Sequence, residues 1–385
     1  MTRNVIHALT PGDHYSPRTG SAVPTVVHGL ASAAQKLSTE NYTHSVLLDG
    51  SSMHPRYESA AAIEYAGAAY PSRWERIADA LAARAGLPRR STIAAYQPLA
   101  RAIKESDNEA IVVAHNAPVL AGLLRERSGP VILYAHNDVL RTVSRREAAH
   151  QLGGVASVVC VSEYLAEQIT ARLPAHLAAR VRVVENGVDT DQFSPAQAPT
   201  TSSSRLRVLF LGRTIAEKGP DLLLAAARRL ARDDIEFVIV GSYGFDRDAP
   251  LSTFESDLRK EAESSGAHVS FEPFVDRFAL PALLRTADIF VAPSRWPEPS
   301  GLTLGEAMAT GLPVITSRAG GIPEVVGDVG ILIAPGDSAA LASAIALLAD
   351  SPSHRTALGE EARKRAIANN WSRSWRQFEA ALNEI

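Results

Sequence analysis

Short apolar segments alternate with helical patterns along most of the chain, and this alternation constrains the fold more than any other feature. The segments of the first half are 5–9, 45–48, 110–114, 131–135, 157–161 and 181–184, and those of the second half are 207–211, 236–240, 268–271, 289–292, 314–316 and 330–333. Continuous apolar runs are typical of strands buried on both faces, hence of parallel sheets with crossover helices. Helical spacing is clear in 221–230 and 339–348. The sequence therefore predicts an α/β protein with two doubly wound halves.

Composition supports this reading. The chain has 385 residues, enough for two domains with separate cores, and is 46% hydrophobic and 21% charged, as expected of a globular protein. A net charge of −3 gives no reason to expect nucleic-acid binding. The single cysteine, Cys160, lies in an apolar run and is expected to be a buried, inert thiol. Since no secretory signal or membrane-spanning stretch is visible, a cytoplasmic protein is expected.

The boundary between the halves is expected near residue 195. Asn186–Asp189 and Phe193–Pro195 are followed by a stretch rich in Pro, Thr and Ser from Ala196 to Ser204, which predicts a linker. The expected domains are 1–195 and 196–364. The remaining segment, 365–385, carries aromatic and apolar residues on one helical face, which must pack on something: Trp371, Trp375, Phe378 and Leu382.

Two glutamates, Glu298 and Glu306, flank the turn that begins at Gly301. The prolines on either side of Glu298 hold the approach extended, and either Gly301 or Thr303 can cap the helix that follows. A helix N-terminus binds phosphate through its unpaired N–H groups, and carboxylates accept strong hydrogen bonds from sugar hydroxyls. The spacing therefore predicts a nucleotide-sugar site.

A basic loop follows the first strand of the second half. Arg213 comes directly after Gly212, and Lys218 lies just before the next helical pattern. The guanidinium suits bidentate phosphate contact, and the ammonium adds a point charge. On this loop alone, a basic turn that faces water is an equally good interpretation. No Walker A or Gly-x-Gly-x-x-Gly pattern occurs.

Taken in order, these motifs resemble the family 4 retaining glycosyltransferases of GT-B fold, from about Ser157 to Gly359. The motifs that carry the resemblance are Asn186–Asp189, Gly212-Arg213 with Lys218-Gly219, Pro293-Ser294, Glu298 with Glu306-Ala-Met-Ala, Gly311–Val314, and Gly320-Gly321 with Pro323-Glu324. The resemblance implies two Rossmann-like domains facing across a cleft, with the C-terminal helix packing back on the first.

The resemblance also implies roles for matching positions. Arg213 and Lys218 would neutralise the departing diphosphate, Glu298 would contact the donor sugar, and Glu306 the ribose. The other implied donor contacts are Gly20, Gly212, Gly241, Val275, Ser300, Gly301, Leu302 and Thr303. The chain departs from the family pattern at Ser300, where phenylalanine is common, at Pro273-Phe274, and at Gly20-Ser21.

Histidines follow two strands of the first half. A side chain just past the carboxyl end of a strand lies where α/β folds bind ligands. His136 resembles the family position that faces the reacting sugar and is assigned a catalytic role. For His115 a structural role is an equally good interpretation. His14, His115 and Asn137 are assigned to the acceptor side.

The expected function is metal-independent transfer of a hexosyl group, with retention, from a nucleotide sugar to a glycan, glycolipid or small natural product. No cofactor is expected, and the default donor is a UDP-sugar. Asp189-Thr-Asp191 and Asp246-Arg-Asp248 match the bare Asp-x-Asp of metal-dependent transferases, but the first lies in the linker motif and the second in a polar loop, so metal binding is not expected at either. The alternatives are a sugar-nucleotide epimerase of the same architecture and a non-catalytic sugar-binding protein; turnover of donor alone would indicate the epimerase.

One amphipathic segment suggests a further partner. Trp74, Ile77 and Leu81 share a helical face with several arginines nearby, which permits peripheral contact with an anionic membrane at its inner face. A solvated surface helix is the commoner explanation for such a pattern, and Glu75 and Asp79 dilute the charge.

Overall fold

The computed structural model describes residues 2–37, 41–196 and 205–385. They form two compact units, Met1–Asn186 with Trp371–Ile385, and Gly187–Asn370. Apart from Ala196, the predicted linker Ala196–Ser204 lies outside the described residues.

The first unit contains a parallel sheet, which has seven strands in the described part of the chain, in the order β3-β2-β1-β4-β5-β6-β7. The strands are β1 (Arg3–Ala8), β2 (Tyr42–Asp49), β3 (Ala61–Tyr65), β4 (Ile111–His115), β5 (Val131–Ala135), β6 (Ser157–Cys160) and β7 (Val181–Val183). The helices are α1 (Ala22–Lys36), α2 (Arg73–Arg84), α3 (Arg90–Glu105), α4 (Pro118–Leu123), α5 (Arg145–Leu152), α6 (Glu163–Thr170) and α7 (Ala175–Ala178).

The second unit contains a second parallel sheet, which has six strands in the described ranges, in the order β10-β9-β8-β11-β12-β13. The strands are β8 (Leu206–Leu211), β9 (Ile235–Val240), β10 (His268–Glu272), β11 (Ile289–Ala292), β12 (Val314–Ser317) and β13 (Ile331–Ile333). The helices are α8 (Pro220–Leu230), α9 (Thr253–Glu263), α10 (Leu280–Leu284), α11 (Leu302–Ala309), α12 (Ile322–Val326), α13 (Ser338–Asp350) and α14 (Pro352–Ala368). A 3₁₀ turn, Ala216–Lys218, precedes α8.

Each predicted apolar run forms a strand, and the α/β class is confirmed. Strand β3 was not predicted, because its short sequence lies at the sheet edge and is largely exposed, so it lacks a buried apolar run. Cys160 is fully buried, as predicted, and burial raises the pKa of its thiol to about 12.

The units divide between Asn186 and Gly187, earlier than the boundary predicted at residue 195. The physical reason is that Val188 and Phe193 are buried in the apolar core of the second unit. The chain rejoins the first unit at Trp371, after α14 has ended at Ala368, and not at residue 365.

The last helix, α15 (Trp371–Asn383), is part of the first unit. Trp375 and Phe378 are fully buried on it, and the Tyr42 hydroxyl of β2 donates a hydrogen bond to Asn383 Oδ1 (2.7 Å). An ion pair joins Arg373 to Glu185. Within the described residues, no helix is both long and apolar enough to cross a membrane.

Candidate functional site

The predicted sugar-contacting carboxylate and the predicted phosphate cation form an ion pair with each other. Lys218 Nζ lies 2.6 Å from Glu298 Oε1, and the two side chains are 31% and 16% exposed. The hydroxyl of buried Ser294 lies 2.9 Å from the same oxygen. The ammonium retains further N–H donors, since it carries three. The pair places a fixed positive charge and a fixed carboxylate side by side, at the carboxyl ends of β8 and β11.

Backbone hydrogen bonds fix the two loops that carry this pair to each other. The N–H groups of Arg295 and Trp296 both donate to the Glu217 carbonyl oxygen (2.8 and 3.2 Å). The Arg295 guanidinium also holds both carboxylate oxygens of Asp221 in the first turn of α8 (2.7 and 2.6 Å). The position of Glu298 is therefore tied to that of Lys218 by more than their own ion pair.

A glycine pair after β12 clamps the backbone at Glu298. Gly321 N–H donates to the Glu298 carbonyl oxygen (2.7 Å), and Gly320 has φ +62°. A Cβ on Gly320 would lie 2.3 Å from that oxygen, far inside contact distance, and against backbone that has no flexible end to move. Glycine is required here both by the left-handed conformation and by the close approach.

The helix that carries Glu306 begins directly after this loop. Gly301 is the N-cap of α11, so of the two predicted caps Gly301 is right, and Leu302 and Thr303 are the first helical residues. The cap supplies no side-chain hydrogen bond, and the first turn contains no acidic residue. The N–H groups at this end, beside Ser300, remain available to an anion, as helix N-termini generally are.

Glu306 is buried and 3% exposed. Its Oε1 accepts a charge-assisted hydrogen bond from Arg277, in the turn after β10, while its Oε2 has no hydrogen-bond partner among the residues that the structure describes. An unsatisfied buried carboxylate oxygen is costly, and a ligand hydroxyl would satisfy it. Arg277 was not predicted; the signal that could have found it is that a buried carboxylate needs a cationic partner.

The predicted nucleotide wall is built from closely packed backbone. Gly212 and Gly241 lie against each other at the ends of β8 and β9: Gly241 has φ +135°, and a Cβ on it would lie 1.9 Å from the Gly212 carbonyl oxygen. Phe274 N–H donates to Ser242 Oγ (3.1 Å), and the neighbouring Val275 packs on the apolar core. These segments form one edge beside the basic loop.

Arg213 is exposed, and the structure gives it no ion-pair partner within the described ranges. Its neighbour Thr214 is buried, and Thr214 N–H donates to the Ser242 carbonyl oxygen (3.0 Å). The backbone at the root of Arg213 is therefore fixed while its guanidinium is accessible, as a phosphate ligand requires.

In the first unit, the predicted histidines belong to a larger cluster. His115 Nδ1 lies 2.8 Å from His136 Nε2, His7 Nδ1 lies 2.9 Å from His115 Nε2, and His44 Nδ1 lies 2.9 Å from His7 Nε2. We call these four residues the histidine chain. All four are buried, and Tyr134 stacks on both His115 and His136.

The strand register places the histidine chain diagonally across the sheet. Val5 pairs with His44, Val113 with His7, and Tyr134 with His115, so each histidine lies two residues closer to the carboxyl edge than the one before it. A step of two keeps the same face. His7 and His44 were missed because each is a lone histidine in an apolar strand.

Burial lowers the pKa of every histidine in the chain, to about 4 for His44 and to about 3 for His136. For His7 and His115 the pKa falls well below the usual value, chiefly because of burial and then because of the neighbouring imidazoles. The four imidazoles of the histidine chain are therefore uncharged at neutral pH. The backbone N–H of His136 donates to Asn116 Oδ1 (2.7 Å), which fixes the position of His136 at the end of β5.

The other predicted site residues of the first unit, His14 and Asn137 on the acceptor side and Gly20 as a donor contact, lie in loops. His14 and Gly20 belong to the loop between β1 and α1; His14 Nδ1 accepts a hydrogen bond from Met53 N–H (3.2 Å), and Gly20 precedes the N-cap Ser21. Asn137 is exposed, next to an ion pair between Asp138 and Arg172 (2.9 Å). The structure does not join these residues to the histidine chain by any hydrogen bond that it records.

The two Asp-x-Asp sequences occupy turns. Asp189 Oδ1 accepts from the N–H of Asp191 and of Gln192 (both 3.0 Å), and Asp246 Oδ1 accepts from Asp248 N–H (3.0 Å). Among the described residues, no group of three or more His, Cys, Asp or Glu side chains is arranged to hold a metal ion.

Helix α2 has an exposed apolar face. Trp74 is 77% exposed and Leu81 59%, with Ile77 beside them, and Leu87 follows in the next turn. The buried carboxylate of this helix, Asp79, accepts hydrogen bonds from the start of α3 and so contributes nothing to the outer face.

Comparison with known proteins gives matches in both halves. The model of Glycosyltransferase Family 4 matches residues 23–192, and that of Glycosyl transferases group 1 matches residues 196–365. The chain is 33% identical over 264 residues to spore coat protein SA of Bacillus subtilis, covering 63% of this chain and 69% of that protein. It is 30% identical over 319 residues to a GDP-mannose-dependent phosphatidylinositol monomannoside mannosyltransferase of Mycolicibacterium smegmatis, covering 74% of this chain and 78% of the relative.

Solved structures share the fold at low identity. Anabaena HepE, solved in complex with UDP and glucose, superposes with a TM-score of 0.73 at 17% identity over all of both chains. Sucrose-phosphate synthase from Thermosynechococcus elongatus superposes with a TM-score of 0.76 at 19% identity, covering 99% of this chain and 98% of that one. With two Rossmann-like domains and these matches along its length, the chain belongs to glycosyltransferase family 4 and is a glycosyltransferase of GT-B fold.

Proposed function

We propose that this glycosyltransferase transfers a hexosyl group from a UDP-sugar, with retention at the anomeric carbon and without a metal ion. The observation that supports the donor part of this proposal is the arrangement around Glu298. Its carboxylate pairs with the ammonium of Lys218, the N-terminus of α11 follows directly in the chain, and backbone hydrogen bonds fix the loops. Buried Glu306, with an unsatisfied oxygen, lies on the same helix and suits the hydroxyls of a ribose.

The proposed chemistry is departure of the diphosphate helped by positive charge. Arg213 and Lys218 would stabilise the negative charge that develops on the leaving oxygen, together with the N–H groups of Gly301, Leu302 and Thr303. Preorganised donors of this kind contribute about 10²–10³-fold each. With the charge supplied by two cations and a helix terminus, this step needs no metal.

The contacts described concern the diphosphate, the sugar and the ribose, which UDP-sugars and GDP-sugars share, so they do not select the base. Anabaena HepE was solved with UDP-glucose, whereas the named mycolicibacterial relative depends on GDP-mannose. A thermal-shift screen with UDP-glucose, UDP-galactose and GDP-mannose separates these, because a ligand that binds the native state raises the midpoint by mass action. A shift with GDP-mannose alone would overturn the UDP assignment.

The acceptor is proposed to be a glycan, a glycolipid or a small natural product, with the histidine chain on the acceptor side and a catalytic role for His136. Incubation of donor with and without an acceptor library tests this. Conversion of donor to another sugar nucleotide without acceptor would instead indicate an epimerase. Binding without any turnover would indicate a sugar-binding protein.

We also propose that α2 makes a peripheral contact with anionic membranes. Its exposed Trp74, Ile77 and Leu81 provide an apolar face, and Arg73 and Arg84 provide positive charge at its two ends. Co-sedimentation with vesicles containing phosphatidylglycerol is expected, and Trp74→Ala with Leu81→Ala should abolish it. Equal sedimentation of the double variant would refute the contact.

A further inference from the structure

The histidine chain has one direction of connection throughout. In each of its three contacts, Nδ1 of one ring faces Nε2 of the next, from His44 through His7 and His115 to His136. The two atoms left at the ends, His44 Nε2 and His136 Nδ1, are buried and have no hydrogen-bond partner in the part of the chain that the structure describes.

Counting protons restricts this chain to two arrangements. A neutral imidazole has one N–H donor and one acceptor nitrogen. A contact with two protons brings two N–H groups together, and a contact with none opposes two lone pairs, so each of the three contacts holds one proton. The fourth proton is then at one end: either on His136 Nδ1, with every ring in the Nδ1–H form, or on His44 Nε2, with every ring in the Nε2–H form.

We propose that His115, His7 and His44 are positioning residues that link the tautomer of His136 to their own, so that His136 has one tautomer in the free protein and a ligand oxygen at its Nδ1 selects the proton arrangement of all four rings. This inference rests on the proposed function only in taking the ligand to be a sugar hydroxyl or a phosphate oxygen. An accepting oxygen selects the Nδ1–H arrangement, and a donating hydroxyl selects the other.

The change between arrangements conserves protons. Solvent water accepts the proton that leaves His136 Nδ1 and supplies the proton that binds His44 Nε2, while each of the three contacts passes one proton along. The chain keeps four protons and no net charge. The four rings therefore change tautomer together, and a change of the protonated nitrogen at His44 changes the protonated nitrogen at His136 through three hydrogen bonds.

The direct test is ¹⁵N NMR of the full chain labelled at histidine, because imidazole nitrogen shifts distinguish the two tautomers. We expect His7, His44, His115 and His136 to share one tautomer in the free protein at pH 7.5. Different tautomers within the chain would overturn the proposal. This readout needs no turnover, so it stands apart from any failure to find glycosyl transfer.

Variants test whether the coupling matters for catalysis. His7→Phe removes the hydrogen bonds in the middle of the histidine chain, and we expect His136 to show both tautomers. We also expect kcat to fall about tenfold with donor KM unchanged, which is the effect of one misplaced hydrogen bond. If His7→Phe does not fold, His44→Phe tests the same coupling, because His44 is the terminal ring of the histidine chain. His28→Gln is the matched control, since His28 stacks on Tyr57 outside the chain. An unchanged His136 tautomer in the folded variant would refute the proposal.

Discussion

The histidine chain makes the first unit sensitive to acid. Burial lowers the pKa of His44 to about 4 and that of His136 to about 3, and lowers the pKa of His7 and His115 as well. In the unfolded chain a histidine titrates near 6.5. The unfolded state therefore binds more protons between these pKa values, so the four histidines lower the free energy of unfolding as pH drops through about 6.5. Their effect has nearly vanished above about pH 7.5.

The size of the effect follows from the four rings. At pH 5.5 an unfolded histidine is mostly protonated, which stabilises the unfolded state by RT ln 11, or about 1.4 kcal/mol per ring. Four rings that stay neutral in the native state give about 6 kcal/mol. This is comparable with the whole free energy of unfolding of a typical domain, about 5–15 kcal/mol.

Urea unfolding of the full chain at pH 7.5, 6.5 and 5.5 measures this loss. Trp375 is a local reporter, because it is fully buried and its ring centroid lies 5.1 Å from that of His44. His44→Gln should reduce the pH slope by about one proton, whereas His150→Gln, an exposed position in α5, should leave it unchanged. The same urea midpoint at pH 7.5 and 5.5 would show that the native chain binds protons, contrary to this reasoning.

Three further predictions concern the donor site. Lys218→Ala and Glu298→Gln should each lower kcat by about 10²-fold or more while circular dichroism stays native; full activity in either would remove its proposed role. Gly320→Ala should lower activity by displacing the Glu298 backbone, whereas Gly336→Ala, also at positive φ but with nothing within 4 Å of its Cβ, should cost only stability; equal activity in the two would refute the clamp. EDTA should leave turnover unchanged, and inhibition that Mg²⁺ or Mn²⁺ reverses would show that the reaction needs a metal.

The sequence was sufficient for the strands and for the loops at their carboxyl ends. Continuous apolar runs identify a buried parallel strand wherever both faces of the sheet are covered. Strand β3 was not predicted because its residues are largely exposed. Glu298 and Glu306 could be predicted from local spacing, since a loop and the first turn of a helix are set by nearby residues. Their assigned roles stay predictions.

Partners distant in sequence could not be found in the same way. Arg277 reaches Glu306 from a turn on another strand, and Lys218 reaches Glu298 across two loops. His7 and His44 become neighbours of His115 only through the strand order β2-β1-β4-β5 and its register. A single histidine in an apolar strand gives no sign of which strand will lie beside it.

The contribution of α15 to the first unit has a consequence for synthesis. The chain leaves the ribosome from its N-terminus, and domains generally fold as units during synthesis. Residues Gly187–Asn370 emerge before Trp371–Ile385, so the second unit is complete while the first still lacks the helix that carries Trp375 and Phe378. While the whole second unit is being translated, the nascent first unit lacks α15, and the surface that α15 covers stays exposed. Premature termination before residue 371 would therefore damage the unit that was made first.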